Sequence, residues 1–197
     1  MEILRGKTAS FIDTNALDDL LARYDFAHLD IGTGDGRFVL HTAQANPRGL
    51  AIGLDACREN LRDTSRRAPD NALFVIANAA AMPSELRGVV SHITINFPWG
   101  SLLSGLLEAD PALLSGLMSV ALPSTTVDVR LNAGALAEAG WPLDAGAAHI
   151  REVLAAHGLW MKRPVALRPD DLRAYPTTWA KRLAFGRDPR ALHLASA

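Results

Sequence analysis

The sequence predicts an α/β protein whose sheet is mostly parallel and covered by helices on both faces, the arrangement called doubly wound. Apolar runs of strand length alternate with helix-length segments along most of the chain, as in parallel sheets with right-handed crossovers. One early run ends in a turn containing Gly32, Gly34 and Gly36, a position where such sheets bind nucleotides. The 197 residues are 49% hydrophobic and 21% charged, which suits one well-buried domain over residues 1–197.

Residues 1–25 are expected to form a β-hairpin and a helix ahead of the core. Two short strand-like runs at 3–8 and 9–12 predict the hairpin. A helix over 14–24 follows, because apolar residues recur there at helical spacing. The residues that share its apolar face are Ala16, Leu17, Leu20 and Leu21.

The core, residues 26–197, is predicted from strands and helices in alternation. Pro47 ends the first core helix, and Pro98 breaks the fourth strand, because the residue before a proline is disfavoured in a helix and a proline lacks an N–H for a sheet. The elements in order are strand 28–31, helix 37–45, strand 49–55, helix 58–67, strand 72–78, strand 89–97, helices 102–107 and 112–122, strand 125–131 and helix 147–157. The tail, 160–193, is expected to add one or two closing strands with a loop between them.

The glycine-rich turn predicts a cofactor pocket. Glycine takes positive φ easily and leaves no side chain in the way, so Gly32, Gly34 and Gly36 allow the backbone to turn tightly against a ligand. Asp55 closes the second core strand about twenty residues after the turn, where a ribose diol needs an acceptor. The alternative is a turn that is glycine-rich for steric reasons alone.

The charges beside the turn indicate which cofactor it holds. A dinucleotide fingerprint reads GxGxxG, whereas this turn reads GxGxG with Asp30 at its mouth and Asp35 inside it. Two carboxylates repel a pyrophosphate, but they attract or hydrogen-bond the cationic methionine portion of S-adenosylmethionine. The sequence therefore favours S-adenosylmethionine over NAD.

Two tryptophans follow the predicted core in positions that suit a flat substrate. Ligands bind at the carboxyl ends of parallel strands, and the fourth strand ends in a Pro-Trp-Gly turn that carries Trp99. Trp179 lies in a proline-bounded polar segment, 175–182, that is interpreted as a loop. Two indoles on loops could sandwich a base. The alternative is that each ring lies over the rim of the domain as a packing residue.

Basic residues are clustered although the net charge is only −1. Eight cations and three carboxylates lie between Lys162 and Arg190. A second group has helical spacing and consists of Arg58, Arg62, Arg66 and Arg67. Both groups suit phosphate contacts with a folded RNA, although such clusters are often only solvated faces.

Other features narrow the class of protein. Cys57 is the only cysteine, which excludes an internal disulfide and a cysteine-cluster metal site. The six histidines have no metal-ligand spacing, so no metal is expected. The chain begins without a secretory signal pattern and has no apolar run of membrane-spanning length, so a cytoplasmic protein without membrane contact is expected.

Three motifs together resemble one family. They are DIGTGDG at 30–36, FPWGSLL at 97–103 and WAKRLAFGR at 179–187. In this order they are similar to the aminoglycoside-resistance methyltransferases that modify a decoding-site adenine of 16S rRNA. The resemblance implies a Rossmann-like class I fold, S-adenosylmethionine as cofactor, and methylation of ring nitrogen 1 within the small ribosomal subunit. It also implies resistance of the kanamycin and apramycin type, and we expect a monomer.

The resemblance also implies roles for individual residues. Trp99 and Trp179 would clamp the flipped adenine as the catalytic pair. The cofactor would be held by Asp30, Gly32, Gly34, Asp55, Ala79, Ala80, Ser101 and Thr177. The RNA backbone would be gripped by Arg58, Arg62, Arg66, Arg67, Arg182 and Arg187. A ring nitrogen carries its own lone pair, so catalysis reduces to alignment, base extrusion and desolvation.

Three alternatives stay open at the level of the sequence. The first is a methyltransferase of the same fold that acts on another RNA or on a small molecule. The second is a cofactor-binding module with weak or no ribosomal activity. The third is a dehydrogenase, which Asp30 and Asp35 disfavour. The fold alone does not choose among them.

Overall fold

The computed structural model describes residues 1–186 and 188–197, and in these ranges it shows a single nine-stranded sheet. The strands are β1 Glu2–Arg5, β2 Thr8–Phe11, β3 Phe26–Ile31, β4 Gly49–Asp55, β5 Ala72–Ile76, β6 Val90–Asn96, β7 Ala121–Asn132, β8 Val165–Ala166 and β9 Ala191–Ala195. Their order across the sheet is β2-β1-β5-β4-β3-β6-β7-β9-β8. The predicted α/β class with a mostly parallel sheet is confirmed.

The five central strands, β5-β4-β3-β6-β7, are parallel to one another. The strand pairs β1–β2 and β1–β5 at one edge, and β7–β9 and β9–β8 at the other, are antiparallel. β4 and β6 flank β3 on opposite sides. The chain therefore runs from β3 through β4 toward one edge of the sheet, and from β6 through β7 toward the other edge. This is the topological switch point, where such sheets open a crevice at the carboxyl ends of the strands.

Helices cover both faces of the sheet. They are α1 Thr14–Leu21, α2 Arg37–Ala45, α3 Arg58–Arg66, α4 Gly100–Leu107, α5 Pro111–Val120, α6 Ala133–Glu138, α7 Leu143–Ala156, α8 Pro169–Ala174 and α9 Thr178–Ala184. On one face, Val39 of α2 and Leu61 of α3 pack with Phe74 of β5. On the other, the larger core joins β3, β4 and β6 to α4, α5 and α7. None of the helices in the described ranges has both the length and the apolarity to cross a membrane.

The face of β3, β6 and β7 that turns toward α2 is unusually polar. Asp30 pairs in register with Thr94, and Thr94 with Asp128, while the neighbouring positions of β3 are apolar and face the larger core. Side chains alternate between the two faces of a strand, so this polar row occupies one face only. It leads directly to the carboxyl ends of β3 and β6.

The structure corrects the expectation for the tail. Closing strands are present as β8 and β9, but the segment between them contains two helices, α8 and α9, and Trp179 lies in α9 rather than in a loop. The Thr177 side chain caps α9 by accepting a hydrogen bond from the Ala180 amide at 2.9 Å. A threonine at this position satisfies an amide that the first helical turn leaves free, and this cap is the signal that the interpretation as a loop overlooked.

Other elements also differ from the prediction: α7 begins four residues before the predicted helix 147–157, and α1 ends at Leu21 rather than at 24. The segment 133–138 forms α6, capped by the Asn132 side chain on the Ala135 amide at 2.8 Å. Helix α5 ends at Val120 and β7 begins at once with Ala121, whereas a helix to 122 was predicted. Pro123 explains the earlier end, because the residue before a proline is pushed out of the helical region.

We expect Asn71→Ala to destabilise the fold by about 2 kcal/mol, because it removes three hydrogen bonds to buried and partly buried carbonyls. The Asn71 amide is buried and donates to the carbonyls of Ala43, Asn46 and Gly49 at 2.9–3.1 Å. Chemical denaturation measures the free energy of unfolding. The matched control is Asn15→Ala on the exposed surface of α1, which should change it by less than about 0.5 kcal/mol. Equal effects of the two substitutions would contradict the prediction.

Candidate functional site

A cavity of about 670 Å³ opens at the carboxyl ends of β3, β4 and β6, where the switch point predicts a ligand site. Its volume lies in the range of small-molecule and cofactor pockets. All eight residues predicted to hold the cofactor line it: Asp30, Gly32, Gly34, Asp55, Ala79, Ala80, Ser101 and Thr177. Trp99, Trp179 and Arg182 also contribute to its wall.

The glycine-rich turn forms one wall as predicted from its sequence. Gly32, Gly34 and Gly36 have φ of 67°, 58° and 71°, values that side-chain-bearing residues rarely adopt. A Cβ at Gly36 would lie 2.4 Å from the ring of Phe74, whereas nothing lies within 4 Å of a Cβ built at Gly34. Gly36 is therefore required by packing against β5, and Gly34 leaves open space for a ligand.

Asp55 holds the turn from the neighbouring strand. Its Oδ2 accepts a hydrogen bond from the Gly34 amide at 2.8 Å, and its Oδ1 accepts one from the Cys57 amide at 2.8 Å. A carboxylate oxygen can accept more than one hydrogen bond, so both oxygens keep capacity for a ribose diol in the cavity. The residue is thus fixed in place and still chemically available.

Asp30 is a buried carboxylate at the base of the cavity. It is only 2% exposed, and its Oδ1 accepts hydrogen bonds from the Thr94 hydroxyl at 2.7 Å and the Asn96 amide at 2.8 Å. Burial raises the pKa of Asp30 to about 6, against the lowering effect of these hydrogen bonds. At neutral pH the group is therefore mostly ionised, and Oδ2 can face a cationic ligand group.

The charges of the lining fit S-adenosylmethionine. Among the residues that the structure describes, four carboxylates line the cavity, those of Asp30, Asp35, Asp55 and Asp110, and Arg182 contributes one cation. A pyrophosphate would be repelled by this lining, whereas an ammonium or sulfonium group is attracted. The open space at Gly34 and the acidic lining together match the donor that the sequence predicted.

The two tryptophans predicted as a clamp lie against each other at the mouth of the cavity. Their ring centroids are 5.3 Å apart and their planes differ by 14°, and each side chain is 38% exposed. The Arg182 guanidinium lies over the Trp179 ring, 5.3 Å from its centroid. A base between the indoles needs a spacing of about 7 Å, two van der Waals contacts, so the pair is closed and must open to admit one.

A small core brings these rings together. Phe97, at the end of β6, is 2% exposed and packs with Leu172, Ala180 and Leu183 of α8 and α9. Its φ is 53°, a conformation that costs a non-glycine residue about 1–3 kcal/mol. The packing of Phe97 holds this strained turn, and the turn sets Trp99 at the N-terminus of α4, facing α9.

The predicted RNA-binding arginines occupy two places. Arg58 and Arg62 line a separate shallow groove with Lys7 and Glu59, and the Arg58 guanidinium donates to the Lys7 carbonyl at 3.0 Å. Arg66 and Arg67 follow at the end of α3, where both contact Asp63. Arg182 contributes to the cavity wall, and Arg187 lies outside the described residues.

Several residues of the site were missed by reasoning from the sequence. Asn60 of α3 lines the cavity. Asn96 joins Asp30 to the Tyr175 hydroxyl and to Arg130, which donate to its Oδ1 at 2.8 Å and 3.2 Å. Position at the carboxyl end of a strand could have identified Asn96, because the second residue after Thr94 shares its face. Tyr175 and Arg130 carry no comparable local signal.

Comparisons with known proteins agree on one family. The family model described as NpmA, 16S rRNA (adenine(1408)-N(1))-methyltransferase, matches residues 2–197. The 16S rRNA (adenine(1408)-N(1))-methyltransferase of Escherichia coli is 30% identical over 95% of this chain and 94% of its own length.

Solved structures give the same result. The 16S rRNA methyltransferase KamB has a TM-score of 0.90 and 29% identity, covering 100% of this chain and 98% of its own. A 16S rRNA (adenine(1408)-N(1))-methyltransferase variant from Catenulisporales acidiphilia, solved with the cosubstrate SAM, has a TM-score of 0.85 and 25% identity. The match covers 100% of this chain and 96% of that one.

We expect the affinity for S-adenosylmethionine to fall about tenfold between pH 7 and pH 5, because the ionised fraction of Asp30 falls by that factor. The raised pKa of about 6 places this loss in the window where pH falls through 6. Calorimetric titration across this range measures it. The Asp30→Asn variant should bind S-adenosylmethionine weakly at every pH, without the fall in affinity between pH 7 and pH 5. The Asp55→Asn variant should also bind weakly, but its affinity should still fall over this pH range. A flat wild-type profile would contradict the role of Asp30.

Proposed function

The chain belongs to the NpmA family of 16S rRNA (adenine(1408)-N(1))-methyltransferases, and on this premise we propose how its own residues carry out the reaction. The enzyme transfers the methyl group of S-adenosylmethionine to ring nitrogen 1 of a 16S rRNA adenine and thereby confers aminoglycoside resistance. Trp99 and Trp179 hold the extruded base over the cavity, and Asp30 and Asp55 hold the cofactor.

The observation that carries this proposal is the stacked tryptophan pair at the mouth of an acidic cavity. Two indoles with nearly parallel planes offer a base a stacking surface on each of its faces. Enzymes that act on a base in RNA or DNA take it out of the stack and read it in a closed pocket. Both rings line the cavity, and we infer that a base held between them points its edge into it.

The chemistry needs positioning more than proton transfer. When bound, S-adenosylmethionine supplies an electrophilic methyl group. The adenine N1 lone pair lies in the plane of the ring, so no side chain has to remove a proton before attack. Asp30 and Asp55 would hold the donor, the indoles would fix the plane of the base, and the base held between them would exclude water from the mouth of the cavity. Holding two reactants in line accounts for a large part of a barrier of this kind.

The cofactor-binding set that supports this mechanism lines one cavity. Gly32 and Gly34 admit the donor to the turn, while Ala79, Ala80, Ser101 and Thr177 complete the wall. Asp55 can accept hydrogen bonds from the ribose hydroxyls, and Asp30 can neutralise the amino group. Small residues on this wall leave room for the adenosine.

The basic residues support binding of rRNA. Arg182 at the cavity wall would contact the phosphate next to the extruded base, with Arg187 beyond it in the sequence. The α3 residues Arg58, Arg62, Arg66 and Arg67 would contact phosphates further away. We propose that the substrate is the assembled small ribosomal subunit, and that the protein acts as a cytoplasmic monomer formed by a single domain over residues 1–197.

Expression in a susceptible bacterium tests the whole proposal. The expected result is increased tolerance of kanamycin and apramycin, together with a reverse-transcription stop at one adenine of the decoding site. Methylation of free RNAs or of small molecules without modification of small subunits would instead identify a different substrate.

We expect Trp99→Ala and Trp179→Ala each to lower methylation by about 100-fold, because base stacking contributes about 1–3 kcal/mol on each face. Cofactor affinity should stay within about threefold, since the indoles flank the base and not the donor. Methyl incorporation into small subunits and calorimetric titration measure the two effects. Trp160→Ala is the control, because Trp160 is 68% exposed and lies outside the cavity lining. Unaltered turnover in both clamp variants would remove the clamp.

We expect Arg58→Ala and Arg62→Ala to weaken binding to the small subunit. Each lost phosphate contact should also lower the slope of log binding constant against log salt concentration by about one unit. Filter binding at several salt concentrations measures both quantities. Arg48→Ala is a matched control, because Arg48 precedes β4 at the amino ends of the parallel strands, opposite the cavity, and pairs with Asp25 at 3.3 Å. A slope that changes equally in the control would show a general effect of charge.

A further inference from the structure

Two hydroxyl groups connect the segment that carries Trp179 to carboxylates of the cofactor cavity. One belongs to Tyr175, just before α9, and the other to Thr178, the first residue of α9. Neither is required by the methyl-transfer chemistry described above. Their partners, Asp30 through Asn96 and Asp35 directly, both line the cavity.

The first connection runs through Asn96. The Tyr175 hydroxyl donates to Asn96 Oδ1 at 2.8 Å, and Asn96 Nδ2 donates to Asp30 Oδ1 at 2.8 Å. Burial raises the pKa of the Tyr175 phenol far above its ordinary value, so it remains a hydrogen-bond donor at any physiological pH. The orientation of the Asn96 amide is fixed, because ionised Asp30 can only accept and Arg130 can only donate.

The Tyr175 ring is itself held on three sides. Phe38 of α2 stacks on it with centroids 5.4 Å apart and planes 21° apart. The Arg130 guanidinium lies 4.4 Å from its centroid, and Phe97 meets it edge-on at 6.2 Å. Because the ring is packed in this way, a shift of its hydroxyl requires the backbone just before α9 to shift with it.

The second connection is direct. The Thr178 hydroxyl donates to Asp35 Oδ2, and Asp35 belongs to the glycine-rich turn that borders the cavity. Thr178 immediately precedes Trp179 in the helix, so the glycine-rich turn is joined to the residue beside the clamp ring.

We propose that Tyr175 and Thr178 are positioning residues that set the Trp179 ring according to the state of the cofactor cavity. This inference rests on the proposed function of Trp179 as one side of the base clamp. A ligand that engages Asp30 and Asp35 contacts the same carboxylates that these hydroxyls hold. Cofactor binding and indole geometry are then linked, and the linkage acts equally in both directions.

Circular dichroism without RNA tests the linkage. Stacked indoles produce an exciton couplet, and the product analogue S-adenosylhomocysteine should change its amplitude in the wild-type protein. Trp99→Phe should abolish the couplet, which assigns it to this pair. Tyr175→Phe and Thr178→Val should lose the response to the ligand while their melting temperatures stay near wild type.

Matched variants separate the hydroxyl bonds from general effects. Tyr24→Phe removes the only other tyrosine hydroxyl, on a ring that is also partly buried, and it should keep the wild-type response. Thr178→Ser retains a hydroxyl and should restore the response that Thr178→Val loses. A response that persists in Tyr175→Phe and Thr178→Val, or that is lost equally in Tyr24→Phe, overturns the inference.

Kinetics on small subunits provides a second test. Tyr175→Phe and Thr178→Val should each lower kcat about fivefold, the effect expected from loss of one hydrogen bond, with KM for the RNA substrate near wild type. A lowered affinity for RNA with unchanged kcat would overturn the inference. If the wild-type protein methylates no rRNA, the proposed function fails, and the dichroism experiment still decides whether cavity and indoles are linked.

Discussion

A buried carboxylate needs hydrogen-bond donors, and the residues around Asp30 are arranged to supply them. Thr94 and Asn96 supply the donors from the adjacent strand. Asn96 then presents an oxygen that Tyr175 and Arg130 satisfy. One unpaired ionised group in an apolar core would cost several kcal/mol. The requirement therefore extends from the middle of the sheet to the segment that carries the clamp.

The closed tryptophan pair is the second consequence of this arrangement. Two large aromatic rings at the mouth of a cavity would expose their faces to water if they stood apart, and stacking them on each other reduces that exposure. The strained turn at Phe97 and the small core around it hold Trp99 in place. Opening the pair costs one aromatic contact and returns two when a base enters. In the proposed mechanism the closed pair therefore opens for an extruded base rather than for water.

Local patterns predicted the central elements well, and they failed where the structure depends on distant parts of the chain. The bounds of α2 and β4 match the prediction residue for residue, because proline, glycine and apolar runs define them. Helix α9 was missed, because it is seven residues long and its Thr177 cap is a single residue. The bond between Asn96 and Tyr175 spans 79 positions and depends on how the α8–α9 segment packs against the end of β6, which no local pattern encodes.

Charge gives a reason why the substrate base has to leave its helix. The cavity is lined by four carboxylates and by Arg182, so a phosphate backbone drawn into it would meet strong repulsion. In the proposed mechanism a neutral adenine meets no such repulsion, and it gains stacking on both faces. Arg58 and Arg62 of α3 lie outside this lining, in a separate groove, and Arg182 of α9 lies over the Trp179 ring. We therefore propose that the carboxylates that attract a cationic donor also keep the backbone outside, so that only an everted base reaches the methyl group.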